Sequence, residues 1–199
     1  MKEAQIVSLI LAAGSSSRMH KAKQCLSIHG EPLLKKIVQS AFESRAARTF
    51  VVLGHNPTEN HRLIENLNIA ITIHNLWNRG IGSSIKKGIN DIVKVYPQAS
   101  AILILLCDQP FVTTDYLNTL IDRFLKNEKG IVASAYGDTI GVPAIFDKQY
   151  FSALMGIADN LGAKKIIQDN SHDLLAIKFP GGEIDLDTPE DYEAFIQSL

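Results

Sequence analysis

Short runs of apolar residues alternate along this chain with longer segments in which apolar residues recur every three or four positions. Uninterrupted apolar runs are typical of strands buried on both faces, and the longer spacing is typical of helices that cover a sheet. The runs predict strands at residues 5–12, 49–53, 69–74, 101–106, 131–136, 143–146 and 174–179. The helical spacing predicts helices at residues 32–45, 58–67, 84–96, 113–127, 148–155, 161–170 and from 188 onward. This order predicts an α/β fold with a mostly parallel sheet flanked by helices.

Length and composition limit the classes of protein to consider. The chain has 199 residues and shows no repeat, linker or low-complexity tract, which predicts a single domain over residues 1–199. Its 20 basic and 21 acidic residues balance, so we expect no general binding of nucleic acid. The start of the chain lacks a signal-peptide pattern, and the apolar runs are too short to span a bilayer. We therefore expect a cytoplasmic protein without membrane contact.

The first predicted strand leads into a loop of small and polar residues. The sequence Leu11-Ala12-Ala13-Gly14-Ser15-Ser16-Ser17-Arg18 is followed shortly by Lys23. Small residues let backbone N–H groups approach an anion, and serine hydroxyls with two cations add donors and charge. The loop therefore suits a triphosphate, and a polar strand-to-helix turn with solvated cations is the alternative. The Walker pattern is absent, so this is not a P-loop.

Two distant segments carry acids that suit a metal ion. Asp108 follows the most apolar run, where a carboxylate is expected to be solvated, paired, bound to a metal or used as a helix cap. Mg²⁺ takes one or two carboxylates together with substrate phosphates. Glu183, Asp185 and Asp187 alternate with apolar residues, so a strand there would place all three acids on one face. Asp185 or Asp187 is thus a second candidate metal contact opposite Asp108, and a solvated edge strand is the alternative.

A glycine-rich segment begins the predicted helix near residue 84. Gly80, Gly82, Ser83 and Ser84 would offer N–H groups and hydroxyls to a ligand, or would form a turn with serine caps. Ile85 occupies the position where a dinucleotide fingerprint needs a glycine, so we expect no dehydrogenase. Trp77 suits either the core or a lid over a ring.

Cysteines and histidines give little support to other chemistries. The two cysteines are too few for a disulfide framework, and Cys107 is predicted to be a buried packing residue. The histidines lack the H-E-x-x-H pairing, so no zinc site is predicted, and no G-x-S-x-G motif indicates a hydrolase.

Taken together, these segments resemble the molybdenum cofactor cytidylyltransferase-like family of nucleotidyltransferases. The resemblance covers nearly the whole chain. Its matching segments are Leu11-Ala12-Ala13-Gly14-x-Ser16-x-Arg18-Met19 with Lys23, Gly30-Glu31-Pro32-Leu33-Leu34, Asn75-x-Trp77-x-x-Gly80-x-x-Ser83-Ser84-Ile85-x-x-Gly88, Cys107-Asp108-Gln109-Pro110, Gly141-x-Pro143-x-x-Phe146 and Asp185-x-Asp187-Thr188-Pro189-Glu190-Asp191-Tyr192. The resemblance implies a Rossmann-like sheet of the nucleotide-diphospho-sugar transferase type. It also implies Mg²⁺-dependent transfer of CMP from CTP to molybdopterin cofactor, with pyrophosphate release, for a molybdenum hydroxylase partner.

Particular roles follow from the resemblance. Arg18, Lys23 and Asp108 are expected to be catalytic, and Asp108 with Asp187 to hold Mg²⁺. Nucleotide contacts are expected from Leu11, Ala12, Ala13, Gly14, Ser15, Ser16, Arg18, Lys23, Gly80, Gly82, Ser83, Ser84 and Asp108. Ala13 favours CTP, because related guanylyltransferases have glycine there and a methyl group could exclude a purine. The chain departs from the family at His20, where glycine is usual, and at Asp159-Asn160, where the acid is shifted by one position.

Other activities stay open at this point. The same loop and aspartate would serve guanylyl transfer to molybdopterin, or nucleotidyl transfer to a sugar phosphate or polyol phosphate. A non-catalytic accessory module would bind the nucleotide without releasing pyrophosphate.

Overall fold

The computed structural model of the protein describes residues 4–15, 23–28, 30–126, 129–186 and 188–197, with Lys23 described by its backbone alone. Strands in these residues are β1 Ile6–Ala12, β2 Ser27–Ile28, β3 Glu31–Pro32, β4 Arg48–Leu53, β5 Ala70–Ile73, β6 Ala101–Leu106, β7 Ile131–Tyr136, β8 Thr139–Asp147 and β9 Leu174–Lys178. The α-helices are α1 Leu33–Phe42, α2 Pro57–Arg62, α3 Ile81–Val95, α4 Thr114–Lys126, α5 Phe151–Met155, α6 Lys164–Asp169 and α7 Pro189–Gln197. No helix in these residues is long and apolar enough to cross a membrane.

Seven of the strands form one sheet in the order β5–β4–β1–β6–β8–β7–β9, and β2 pairs with β3 in a separate short hairpin. The strands β5, β4, β1 and β6 run parallel to their neighbours in that order. β8 is antiparallel to both β6 and β7, whereas β9 is parallel to β7. The predicted α/β fold with a mostly parallel sheet is confirmed.

The strand order reverses beside β1. The chain moves from β1 outward to β4 and β5, and then crosses back to β6 on the other side of β1. Leu11 of β1 is in register with Leu106 of β6, so the two strands end at the same edge of the sheet. Ligands of such folds bind at the carboxyl ends of the strands where the order reverses. The ends of β1 and β6 therefore mark the expected binding region.

The core lies on both faces of the sheet, because alternate residues of β1 point to opposite sides. Ile6 and Ile10 belong to a buried cluster with residues of α1 and α4. Leu9 and Leu11 belong to a second cluster with residues of α3, α5 and α6. Every residue of β1 is buried, which explains why this strand is an uninterrupted apolar run in the sequence.

Some predicted elements differ from the structure. The strand predicted at residues 143–146 extends over Thr139–Asp147 and is antiparallel to its neighbours. The helix predicted at residues 58–67 ends at Arg62. The edge strand considered for residues 183–187 is wrong over its described part, because residues 183–186 form no strand. Burial still alternates there, since Leu186 is buried and Asp185 is exposed.

Candidate functional site

Hydrogen bonds from two other parts of the chain fix the loop that follows β1. Nε2 of the buried Gln24 donates to the carbonyl oxygens of Ala12 at 3.3 Å and Gly14 at 3.0 Å. The backbone N–H of His55, which follows β4, donates to the carbonyl oxygen of Ala13 at 3.0 Å. Three consecutive carbonyl groups thus have protein partners, and the direction of the chain leaving β1 is fixed. Sequence reasoning missed Gln24, because nothing in the pattern distinguishes a buried amide.

The described part of this loop ends at Ser15. Gly14 is exposed and Ser15 is half-buried, as expected of a loop that approaches a ligand. Ser16 and Arg18 lie outside the described residues. Lys23 begins the turn Lys23–Cys25, which Gln24 ties to the end of β1. Because β1 and β6 are neighbours that end at the same edge of the sheet, the turn tied to the end of β1 and Asp108 just beyond β6 lie at that edge.

Trp77 packs against the segment that follows β4. A Cβ atom added at Gly54 would lie 2.5 Å from Cβ of Trp77 and 2.6 Å from the carbonyl oxygen of Ala13. The indole also meets the ring of His55 edge-on, with 5.3 Å between ring centroids. Trp77 is half-buried and packs against the core cluster that contains residues of α3, α5 and α6. It is therefore neither a fully buried core residue nor a fully exposed lid, the two roles that its sequence position left open.

Residues 74–84, here called the α3 loop, comprise the segment before α3 and the first turn of that helix. Several of their polar groups are hydrogen-bonded within the protein. Oγ of Ser83 lies 2.6 Å from the carbonyl oxygen of Gly80 and 2.9 Å from Nε2 of His74. The backbone N–H of Gly82 donates to the carbonyl oxygen of Asp159 at 2.8 Å. Ser84 is buried as well. The hydroxyl of Ser83 and the N–H of Gly82 thus shape this loop; ligand contacts at these residues stay predictions.

The surroundings of His74 favour its neutral form. Its side chain is buried at the end of β5, and burial lowers its pKa, with the cations of Lys87 and Arg79 lowering it further. A neutral imidazole pairs with the Ser83 hydroxyl without bringing another positive charge to the α3 loop.

Asp159 meets the α3 loop from the segment between α5 and α6. Its Oδ2 atom accepts from Nε of Arg79 at 2.6 Å, and its Oδ1 atom accepts from Nζ of Lys86. Hydrogen bonds from Lys86 and Arg79 lower the pKa of this carboxyl, so it is ionised at neutral pH. The sequence marked Asp159 only as a departure from the family pattern.

The acidic segment is residues 183–187, and its described part, residues 183–186, lies beside Asp108. Asp108 is half-buried just beyond β6, and its carbonyl oxygen accepts from the backbone N–H of Leu186 at 3.1 Å. Thr113 caps α4 by accepting from the N–H of Tyr116, so the capping role that was the alternative for Asp108 is filled. The two distant acidic segments therefore meet at the carboxyl edge of the sheet. Asp187 itself lies outside the described residues.

Tyr136, at the end of β7, is close to both acidic segments. Burial raises the pKa of its phenol, and the carboxylates of Asp185 and Asp108 raise it further. A Cβ atom added at Gly141 would lie 2.6 Å from the Tyr136 hydroxyl oxygen, so a larger residue there would displace the phenol. No sequence pattern singled out Tyr136, whose position depends on the antiparallel pairing of β7 with β8.

Oxygen donors at this edge fit a hard cation. Within the described residues, which leave out Asp187, no three His, Cys, Asp or Glu side chains gather as a metal-binding group. Mg²⁺ needs only one or two carboxylates when substrate phosphates complete its ligands, so Asp108 with an acid of residues 185–187 fits it. Cys107 is buried, as predicted.

The chain matches known proteins both in sequence and in structure. Residues 8–174 match the family model of the MobA-like NTP transferase domain. The purine catabolism protein PucB of Bacillus subtilis is 28% identical over 207 residues, which cover 97% of each chain. The predicted resemblance to molybdenum cofactor cytidylyltransferase-like proteins is thereby confirmed at the level of the family.

Solved structures share the fold. Rv0371c of Mycobacterium tuberculosis superposes with a TM-score of 0.83 at 26% identity, over 99% of this chain and 100% of that chain. A manganese complex of Rv0371c has a TM-score of 0.81 at 23% identity, over 98% and 100% of the two chains. A cytidylyltransferase of Leptospira borgpetersenii has a TM-score of 0.76 at 17% identity, over 97% and 85%.

Proposed function

Because this chain belongs to the MobA-like NTP transferase domain family, and is thus a nucleotidyltransferase, we propose that it transfers CMP from CTP to molybdopterin cofactor. One observation carries the proposal. The hydrogen bond from Leu186 to Asp108 brings the acidic segment to the end of β6, beside the loop that follows β1. In the proposal, backbone donors of that loop, with Arg18 and Lys23, face these acids across one edge of the sheet, which is the arrangement that nucleotidyl transfer needs.

The proposed roles follow from the chemistry of each segment. Backbone N–H groups of residues 11–16 bind the triphosphate, and Arg18 and Lys23 neutralise its charge. The α3 loop holds the base and ribose. Asp108 and Asp187 would hold a divalent cation, which when bound would offset negative charge on the phosphates. The manganese complex of Rv0371c supports a divalent cation here, and Mg²⁺ is our proposal for this protein.

The reaction needs little covalent chemistry from the protein. An oxygen of the acceptor's terminal phosphate attacks the α-phosphorus of CTP, the new P–O bond forms, and the bond to the β-phosphate oxygen breaks. Pyrophosphate leaves with the bonding electrons. Alignment of the two phosphates and neutralisation of their charge supply most of the rate enhancement, by analogy with phosphoryl transfer. The protein's part is to position Arg18 and Lys23 at the triphosphate.

CTP is supported as the donor by two observations. Ala13 is 4% exposed and belongs to the core cluster that contains residues of α3. Its methyl group is therefore on the same face of the sheet as the α3 loop. A glycine there would leave more room beneath a bound base. The Leptospira borgpetersenii neighbour is itself named a cytidylyltransferase.

The test measures pyrophosphate release with each nucleoside triphosphate, Mg²⁺ or Mn²⁺, and molybdopterin as acceptor. We expect release with CTP that needs the metal, and loss of about 10²–10³-fold of the rate in Asp108→Asn, the scale of removing one charge-stabilising group. The matched control is Asp115→Asn, which neutralises an exposed carboxylate on the first turn of α4. Pyrophosphate release with GTP, or with a sugar phosphate or polyol phosphate as acceptor, would instead indicate one of the alternative transferase activities. Nucleotide binding without pyrophosphate release would indicate the accessory module instead.

A further inference from the structure

The segment between α5 and α6, residues 156–163, packs directly on the start of α3. A Cβ atom added at Gly82 would overlap the carbonyl oxygen of Ala158 and lie 2.8 Å from that of Leu161. One added at Gly80 would overlap the carbonyl oxygen of Asp159, and Gly80 has a φ of +121°, which disfavours other residues. Both glycines of the α3 loop are therefore required by this packing. We call residues 156–163 the α5–α6 segment.

Side chains fasten the same contact. Asp159 binds Arg79, just before Gly80, and Lys86, two residues after Ser84. Lys86 also donates to the carbonyl oxygen of Ile157 at 3.1 Å. One carboxylate thus joins Arg79, two residues before the helix begins, to Lys86 in its second turn.

The pair of Asp159 with Lys86 is more enclosed than an ordinary surface ion pair, whereas the side chain of Arg79 is 59% exposed. The side chains of Asp159 and Lys86 are 21% and 29% exposed. In α6, Nζ of Lys165 lies 2.6 Å from Oδ1 of Asp169, but these two side chains are 50% and 49% exposed. Exposed pairs of that kind contribute little to stability, whereas removing one partner of an enclosed pair leaves a charge without compensation. The α6 pair is therefore a matched control for Asp159.

We infer that Asp159 is a positioning residue for the nucleotide: by holding Arg79 and Lys86 it keeps the α3 loop in the conformation that binds the base and ribose. This inference rests on the proposed function, which assigns the α3 loop to the nucleotide. Without the charge of Asp159, Arg79 and Lys86 repel each other and the loop spends less time in that conformation. Apparent affinity falls in proportion to the competent fraction, whereas CTP already bound reacts normally.

The experiment compares Asp159→Asn, Asp159→Glu and Asp169→Asn in the full chain. We expect Asp159→Asn to raise the KM for CTP by about tenfold with kcat within about threefold of the original value, because the loop rather than the phosphate site is loosened. Asp159→Glu retains the charge and should recover most of the affinity. Asp169→Asn should leave both constants unchanged. Hydrogen exchange without nucleotide should be faster at the amides of residues 82–84 in Asp159→Asn only.

The outcomes distinguish a failure of the positioning role from a failure of the proposed function. If the original protein turns over CTP and Asp159→Asn keeps the KM and the exchange rates of Asp169→Asn, the positioning role is refuted and the proposed function stands. A fall in kcat with unchanged KM refutes it too. If the original protein neither binds nor turns over CTP, the proposed function fails and the role fails with it. Lys86→Met removes half of the contact and gives the same test if Asp159→Asn does not fold.

Discussion

Leu186 anchors the acidic segment, and its replacement tests whether that segment belongs to the site. The side chain is 0% exposed, in the core cluster that includes residues of α1 and α4, while Asp185 beside it is exposed. Its backbone N–H is bonded to the carbonyl oxygen of Asp108. Leu186→Ala removes a fully buried side chain and leaves a cavity, which costs about 2–5 kcal/mol of stability. The same change loosens the segment that carries Asp185 and Asp187.

We expect two separable effects from this variant. Urea unfolding should give the stability loss, and titration with Mn²⁺ should give a dissociation constant raised by about tenfold, which corresponds to about 1.4 kcal/mol. Leu120→Ala is the control, because Leu120 is also 0% exposed in the same cluster and lies two turns into α4. It should lose similar stability and retain its affinity for Mn²⁺.

Equal Mn²⁺ affinity in the two variants would refute the reasoning. In that case the acidic segment packs beside Asp108 without contributing to the cation site, and Asp108 alone would carry the protein's part. A variant that binds Mn²⁺ weakly and yet releases pyrophosphate at the original rate would instead separate the cation site from catalysis.

Three further predictions concern packing, pH and donor choice. Gly54→Ala places a methyl group 2.5 Å from Cβ of Trp77, so it should cost about 1–3 kcal/mol in urea unfolding and raise the KM for CTP; unchanged values would show that the contact yields easily. The hydrogen bond from Tyr150 lowers the pKa of Asp173 below its ordinary value of 3.8, so the stability it contributes is complete above that pH and is lost as the pH falls through the lower folded value. The original protein should therefore lose more stability on acidification than Tyr150→Phe, and parallel curves would contradict this. Ala13→Gly should shift the ratio of kcat/KM for CTP and GTP toward GTP by about tenfold or more, since one methyl group in a pocket discriminates on that scale; an unchanged ratio would exclude a steric role.

The fold was largely predictable, because strands buried on both faces are uninterrupted apolar runs. The prediction for β6 at residues 101–106 matches the structure, and that for β7 at residues 131–136 does too. Strand direction is not written in such a run, so the antiparallel β8 was missed. A signal was present: only Gly137 and Asp138 separate β7 from β8, and Gly137 has a φ of +50°. A two-residue connection that begins with glycine is typical of a hairpin.

The sequence predicts the location of a site residue only where that residue lies at the end of a predicted strand. Asp108 follows β6, and the ends of parallel strands share an edge, so its place near the first loop follows from the alternation of elements. The contact of Leu186 with Asp108 was expected in outline from the acid spacing, although no strand carries it. The clamp of Gln24 acts on backbone carbonyl oxygens, which leave no pattern in the side chains. The packing of Asp159 on α3 depends on Arg79 and Lys86, which lie far from it in the sequence.

The two loops of the candidate site are held by different kinds of interaction, and the proposed function explains why. The loop after β1 is held by uncharged donors, the amide of Gln24 and the N–H of His55. In the proposed function this loop meets the triphosphate, and an ion pair there would compete with the ligand for the same cations. The α3 loop is held by Asp159 through two cations. It is assigned to the uncharged base and ribose, which do not compete for them, so a carboxylate can fix this loop without weakening the binding of the phosphates.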